Sequence, residues 1–165
     1  MTNYICINGK KAELTEEQMK ALGIEIPKAK SPFDRVELSK GYNCITGTGK
    51  VIRTYDMDDV NDRECHKVGN YCTDASLLQQ RALHETLSRL LWRYSMEHDG
   101  DKINWKFVSQ SKWYVFYNTS SKKWSVGVGH NSFFLDTYFY TEKIAENAIE
   151  EIIKPFIAAH IDFKF

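Results

Sequence analysis

No stretch of this sequence approaches the ~20 consecutive apolar residues that a membrane-spanning helix needs. The start, MTNYICINGKK, holds an apolar stretch far shorter than a secretory signal core. The expectation is a cytoplasmic protein with no membrane partner. Cysteine is sparse, and Cys6, Cys44, Cys65 and Cys72 are scattered without a CxxC pair. That pattern points to reduced thiols and not to a disulfide framework. Surplus charge is also missing, since 22 basic residues face 22 acidic ones. Phosphate contacts usually demand a basic surplus, so a dedicated duplex-binding protein is disfavoured. A serine or cysteine nucleophile set in a recognisable elbow is absent. Thr46-Gly47-Thr48-Gly49-Lys50 lacks the spacing and following Ser or Thr of a phosphate-binding loop. It joins two strands and reads as a hairpin turn.

What is present is a globular composition, with 13% aromatic and 42% hydrophobic residues. A disordered chain would be poor in both. Tyr4 to Ile7, the Asn8-Gly9 turn and Lys10 to Leu14 read as a hairpin. Thr15-Glu16-Glu17-Gln18 is a capping box that opens a short helix, which Gly23 stops. A linker carrying Pro27 and Pro32 follows. Residues 1–35 thus form an N-terminal hairpin, short helix and linker, and residues 36–165 the main domain. Tyr42 to Ile45 and Lys50 to Tyr55 make a second hairpin. Asp56 to Glu64 lacks apolar periodicity and reads as a solvated loop. Thr73 is a candidate N-cap for a helix over about 74–98, closed by Gly100. Leu83, Leu87, Leu90, Leu91 and Tyr94 share one face of it, and Glu85 pairs with Arg89 at i,i+4. Lys112 to Tyr117 is apolar on both faces, as a central strand would be. Trp124, Val126 and Val128 alternate in a one-sided strand, and Phe133 to Tyr140 is a third. Thr141 caps a last helix whose core stripe is Ile144, Ala145, Ala148, Ile149, Ile152 and Ile153. Pro155 should end or kink it. The fold class is α+β: antiparallel hairpins packed against one long central helix and a C-terminal helix, with helix–three strands–helix order in the second half. Gly69 to Thr73 and Tyr138 to Thr141, each leading into a long helix, hint at an internal duplication.

Charge is segregated along the chain. Residues 56–80 hold two basic and six acidic side chains, a net of −4; residues 106–130 hold four lysines and no acid, a net of +4; residues 131–165 hold three basic and six acidic, a net of −3. Asp56, Asp58, Asp59, Asp62 and Glu64, with Glu142, Glu146 and Glu150, are candidate contacts for a basic partner, because charge complementarity steers association. Acidic faces are more often simply solvated. Lys106, Lys112, Trp113, Lys122, Lys123 and Trp124 interleave cations with aromatics, as surfaces that stack bases and track a phosphate backbone do. The bland reading is a buried strand with lysines at its turns. The helix–three strands–helix order is similar to that of double-stranded-RNA-binding domains. Those place a basic cluster where this chain has Thr141-Glu142-Lys143. Cys65, His66 and Cys72 are of ligand type but lack the paired spacing of zinc sites. The acidic loop lacks the central glycine and final Glu of a calcium loop. No metal or cofactor is expected. His84 and Glu85 are adjacent on a helix and do not face each other. His98 at a helix end is explained by the dipole.

Three segments carry a family resemblance: INGKKAELTEEQMKALGIE, GNYCTDASLLQQRALHETLSRLLWRYSMEHDG and YFYTEKIAENAIEEIIKPF. They resemble small proteins encoded in bacterial prophages, and together they cover most of the chain. The shared motifs are structural, so no catalytic residue carries over. The resemblance implies a phage protein that blocks host defence by binding a nuclease or its complex, as anti-CRISPR proteins do. Two functional expectations stand beside each other. One is a non-enzymatic inhibitor of a bacterial defence system, most naturally a CRISPR effector nuclease. The other is a nucleic-acid-binding phage protein that uses the lysine–aromatic segment 105–124.

Overall fold

In a computed structural model of the chain, residues 4–7, 10–13, 18, 21–22, 31–130 and 137–164 are described. Two units are distinguished, Met1–Asp34 and Arg35–Phe165. In the first, β1 (Tyr4–Ile7) and β2 (Lys10–Glu13) form an antiparallel hairpin in which Ile7 pairs with Lys10. The Asn8-Gly9 turn, the Thr15 capping box, the Gly23 stop and Pro27 lie outside the described residues. The Leu22 N–H donates to the Gln18 carbonyl at 3.0 Å, one helical turn.

The second unit opens with an antiparallel hairpin of β3 (Gly41–Ile45) and β4 (Val51–Tyr55). Helix α1 (Val60–Lys67) follows, then the long α2 (Ala75–Glu97). A second hairpin pairs β5 (Lys112–Asn118) with β6 (Lys123–Gly129). The C-terminal helix runs as α3 (Glu142–Ala148), a π turn (Ile149–Ile153) and α4 (Lys154–Ala159). Among the described residues no helix is long and apolar enough to cross a membrane.

Three expectations need correction. Asp56 to Glu64 is not a solvated loop, because Val60–Lys67 is helical and both Asp56 and Asp62 are buried. A reciprocal capping box compensates for the missing apolar periodicity. Asp59 accepts from the Asp62 N–H, and Asp62 accepts from the Asp59 N–H. The N-cap of α2 is Asp74 and not Thr73, its carboxylate accepting from the Ser76 N–H at 2.9 Å. Finally, Pro155 does not end the C-terminal helix. Proline has no N–H to give the carbonyl four residues back. The helix widens into the π turn just before Pro155 and continues to Ala159.

The core lies between α2, the inner face of the β5–β6 hairpin and the C-terminal helix. Leu87, Leu91 and Tyr94 of α2 meet Val115, Phe139, Ala145, Ala148, Ile149 and Ile153. Leu83, Leu90, Ile144 and Ile152 pack on its rim. Helix α2 spans 23 residues, about 34 Å at the α-helical rise. Asp99 stops it in the left-handed region at φ 67°. Gly100 is then required by crowding, since a Cβ there would lie 2.5 Å from the Ser95 hydroxyl oxygen. Glu85 and Arg89 form the i,i+4 pair read from the sequence, at 3.4 Å. Of the third strand expected over Phe133 to Tyr140, residues 133–136 lie outside the described residues, and Phe139 forms an isolated bridge to Trp113. That bridge gives β5 a neighbour on both sides.

Hairpin, bridge and helix occur twice in the same order. Cys72 bridges β3 at Asn43, three residues before α2 begins. Phe139 bridges β5 at Trp113, three residues before α3 begins. A buried tyrosine, Tyr71 or Tyr138, precedes each bridge residue.

Phe139 is wholly enclosed. Phe139→Ala should cost about 3–5 kcal/mol of stability, read from chemical denaturation. Loss of under about 1 kcal/mol would show that the bridge is not part of the core.

Candidate functional site

Two charged assemblies dominate the second unit, and only one is open. The closed one is built on Asp56 and Asp62. Asp56 receives Arg35 Nε and Nη2, both at 2.7 Å, the Tyr71 hydroxyl at 2.9 Å and the Asp58 N–H at 2.9 Å. Asp62 receives the Tyr42 hydroxyl at 2.7 Å, the Met57 N–H at 2.7 Å and the Asp59 N–H at 3.2 Å. The two tyrosine rings stack with centroids 3.8 Å apart. The Arg35 guanidinium is the main reason the Asp56 carboxyl sits below the usual carboxylate range. Burial pushes Asp62 up, but its three hydrogen bonds hold it low on balance. Burial also raises both tyrosine hydroxyls. These acids are therefore consumed internally and are unavailable to a partner. Asp58 pairs with Arg35 at 2.8 Å and with Arg63 at 3.3 Å, and Glu64 with Lys67 at 3.7 Å. Asp59 caps α1, while the side chains of Asp58 and Glu64 stay exposed.

The lysine–aromatic set is split in a similar way. Lys112 is fully buried, and its ammonium donates to the carbonyls of Phe107 (3.2 Å), Gln110 (2.9 Å) and His130 (3.2 Å). It cannot reach a phosphate. Trp113 and Trp124 pack against the core. Lys106, Lys122 and Lys123 are exposed. The surface ladder of cation and aromatic expected for base stacking is therefore not assembled by these six residues. Sequence alternation could not tell which face of β5 lies inward.

The open assembly is a groove of about 840 Å³ between β6 and the C-terminal helix. Lys122 and Lys123 stand on its strand side, and Glu142, Glu146 and Glu150 on its helix side. Those glutamates recur at i, i+4 and i+8, so one helical face carries all three. Trp124, Val126 and Ile149 supply its apolar lining. Residues that the sequence assigned to two rival functions thus meet in one groove. Lys143 and Lys154, which the sequence reading did not single out, also line it. Lys143 reaches Glu146 at 3.5 Å and Lys154 reaches Glu150 at 2.6 Å. The spacing of these pairs was readable beforehand. Their position opposite Lys122 was not, because helix and strand are distant in sequence.

The histidines and cysteines are placed elsewhere. His84 Nε2 donates to the Lys164 carbonyl and His98 Nδ1 to the Tyr94 carbonyl, each at 2.8 Å. Cys65 packs with Tyr42 and Cys44, whereas Cys72 belongs to a cluster with Ile45 and Leu78. His66 lies edge-on to Tyr71. Among the described residues no group of three His, Cys, Asp or Glu side chains could hold a metal.

Both buried carboxyls titrate lower in the folded than in the unfolded chain. Their contribution is complete above about pH 4, the unfolded value, and is lost as pH falls through the folded values. Asp56→Asn should lower the melting temperature by several degrees at neutral pH, and the gap to wild type should narrow below about pH 4. Melts across that range measure it, and a pH-independent gap would exclude a charge contribution. Lys112→Met strands three carbonyls and should cost roughly 2–3 kcal/mol, measurable by urea titration. Compared with known protein families, curated proteins and solved structures, the chain matches none.

Proposed function

We propose that this chain is a non-enzymatic binding protein of phage origin that inhibits a bacterial defence system, its partner a CRISPR effector nuclease or that nuclease's complex. One observation carries the binding part of the reading. The groove places apolar side chains between a lysine-bearing strand and a glutamate-bearing helix face. An apolar centre with a polar rim is the anatomy of a protein interface. The prophage resemblance supplies the class of partner. Asp56, Asp62, His84 and His98 support the non-enzymatic part, since each is engaged by hydrogen bonds within the fold.

Nucleic acid is the weaker ligand for the same surface. The groove's four lysines and three glutamates leave a net of +1. Three carboxylates on one wall would repel a phosphate backbone, and Lys112 is out of reach.

Co-purification with candidate effector complexes, followed by a cleavage assay, tests the proposal. Cleavage should be blocked by the wild-type chain. Lys122→Glu with Lys123→Glu, or Glu146→Lys with Glu150→Lys, should weaken inhibition by about tenfold or more, near 1.4 kcal/mol, without altering the melting temperature. Bare DNA and RNA should not bind in filter assays. Undiminished cleavage by every effector would remove the inhibitor reading. Nucleic-acid affinity falling steeply with salt, and weakened by the lysine reversal, would replace it with the nucleic-acid reading.

A further inference from the structure

The hydrogen bonds of Trp113 reveal what the free side of β6 presents. Trp113 donates its N–H to the Phe139 carbonyl at 3.0 Å and accepts the Phe139 N–H at 2.7 Å. Both of its peptide groups therefore point away from β6. In an antiparallel pair, directly opposed residues alternate between bonded and non-bonded. Trp113 lies opposite Val128, so this pair is non-bonded, and so are Val115–Val126 and Tyr117–Trp124, two and four residues along. Across a non-bonded pair, the second residue also turns its N–H and C=O outward. The peptide groups of Trp124, Val126 and Val128 are accordingly directed away from β5. Among the described residues β6 pairs with β5 alone, and neither Val126 nor Val128 has a backbone partner on that outer side.

This edge coincides with the groove. Lys123, Trp124, Ser125 and Val126 are consecutive and all line it. Successive side chains of a strand point to opposite faces, so a cavity touched by all four runs along the strand's edge. The charges beside it are unequally spent. Lys143 and Lys154 are paired with Glu146 and Glu150. Among the described residues Lys122 and Lys123, at the hairpin turn, enter no ion pair, and neither does Glu142 on the opposite wall.

We infer that β6 receives an extended, acid-bearing segment of a partner protein as an added strand. The segment places carboxylates beside Lys122 and Lys123, keeps acids away from Glu142, and exchanges main-chain hydrogen bonds with Val126 and Val128. Strand addition draws affinity from main-chain bonds and specificity from flanking side chains. A second copy of this chain fits less well. Two β6 edges paired antiparallel about Val126 would set Lys123 against Gly129 and offer neither lysine a carboxylate. Lysine on an exposed edge also discourages self-pairing. The inference rests on the protein-binding reading above and specifies how that binding occurs.

A display library of random ten-residue peptides, selected on the immobilised full chain, is the probe. Selected peptides should alternate β-branched or aromatic residues and carry Asp or Glu toward one end. N-methylation of a selected peptide at alternate nitrogens should abolish binding in one register and spare it in the other. Lys122→Glu with Lys123→Glu should weaken binding at least tenfold. Val126→Pro, which removes an outward N–H from an edge strand, should do the same, with circular dichroism confirming that the variant folds. Peptides that bind as helices, binding indifferent to N-methylation, no enriched peptide, or a concentration-dependent dimer lost in Val126→Pro would each overturn the inference. Failure here is separable from failure of the inhibitor reading. If the chain blocks a nuclease and Val126→Pro blocks it equally well, the edge is wrong and inhibition stands. If register-sensitive peptides bind but every nuclease cuts freely, the edge stands and inhibition falls.

Discussion

The pair of hydrogen bonds between Trp113 and Phe139 is the constraint on which the second half of the chain depends. It anchors β5 between two neighbours and commits the alternation of bonded and non-bonded pairs along the hairpin. It also brings Phe139 three residues ahead of the C-terminal helix, with its ring among Leu91, Ala145, Ala148 and Ile153. That burial holds the helix across the sheet. The groove is a consequence, since its two walls are the strand left outermost and the helix laid beside it.

The first half solves a different problem with polar groups. Its small hydrophobic clusters, Ile45 with Leu78 and Tyr42 with Tyr71, are supplemented by two buried carboxylates. Removing a carboxylate from water is costly unless it is fully hydrogen-bonded. Asp56 and Asp62 meet that condition with Arg35, two tyrosine hydroxyls and three backbone N–H groups. Such a network is directional and fixes geometry that an apolar cluster of this size would leave loose. Arg35 also ties the start of the unit to the strand end at Asp56. Both halves repeat the hairpin–bridge–helix order, yet one closes on charge and the other on apolar packing.

Strand β6 and the long helix α2 were legible because each carries a period, two residues from Trp124 to Val128 and a leucine stripe in α2. Strand β5 was legible from an apolar run on both faces, and the β3–β4 hairpin from its turn residues. The C-terminal stripe from Ile144 to Ile153 was equally plain. Helix α1 was missed because its determinant is a reciprocal pair of aspartates and not an apolar face. Asp56 and Asp62 looked like solvent-facing acids, since nothing local marks a carboxylate whose side-chain partners lie 15 to 21 residues away. Lys112 misled for a parallel reason. Its three acceptors are loop carbonyls, which have no sequence signature.

From the residue order alone came the α+β class, the hairpins, the two principal helices and the acidic face at Glu142, Glu146 and Glu150. Those properties depend on periodicity and turn chemistry, which act over a few neighbours. Tertiary structure alone decided which charges are spent and which remain. It buried Asp56, Asp62 and Lys112, turned Trp113 and Trp124 inward, and set Lys122 and Lys123 across a groove from three glutamates. The reason is physical: desolvation and charge pairing act through space, so the fate of an ionisable side chain is settled by neighbours that only folding brings close.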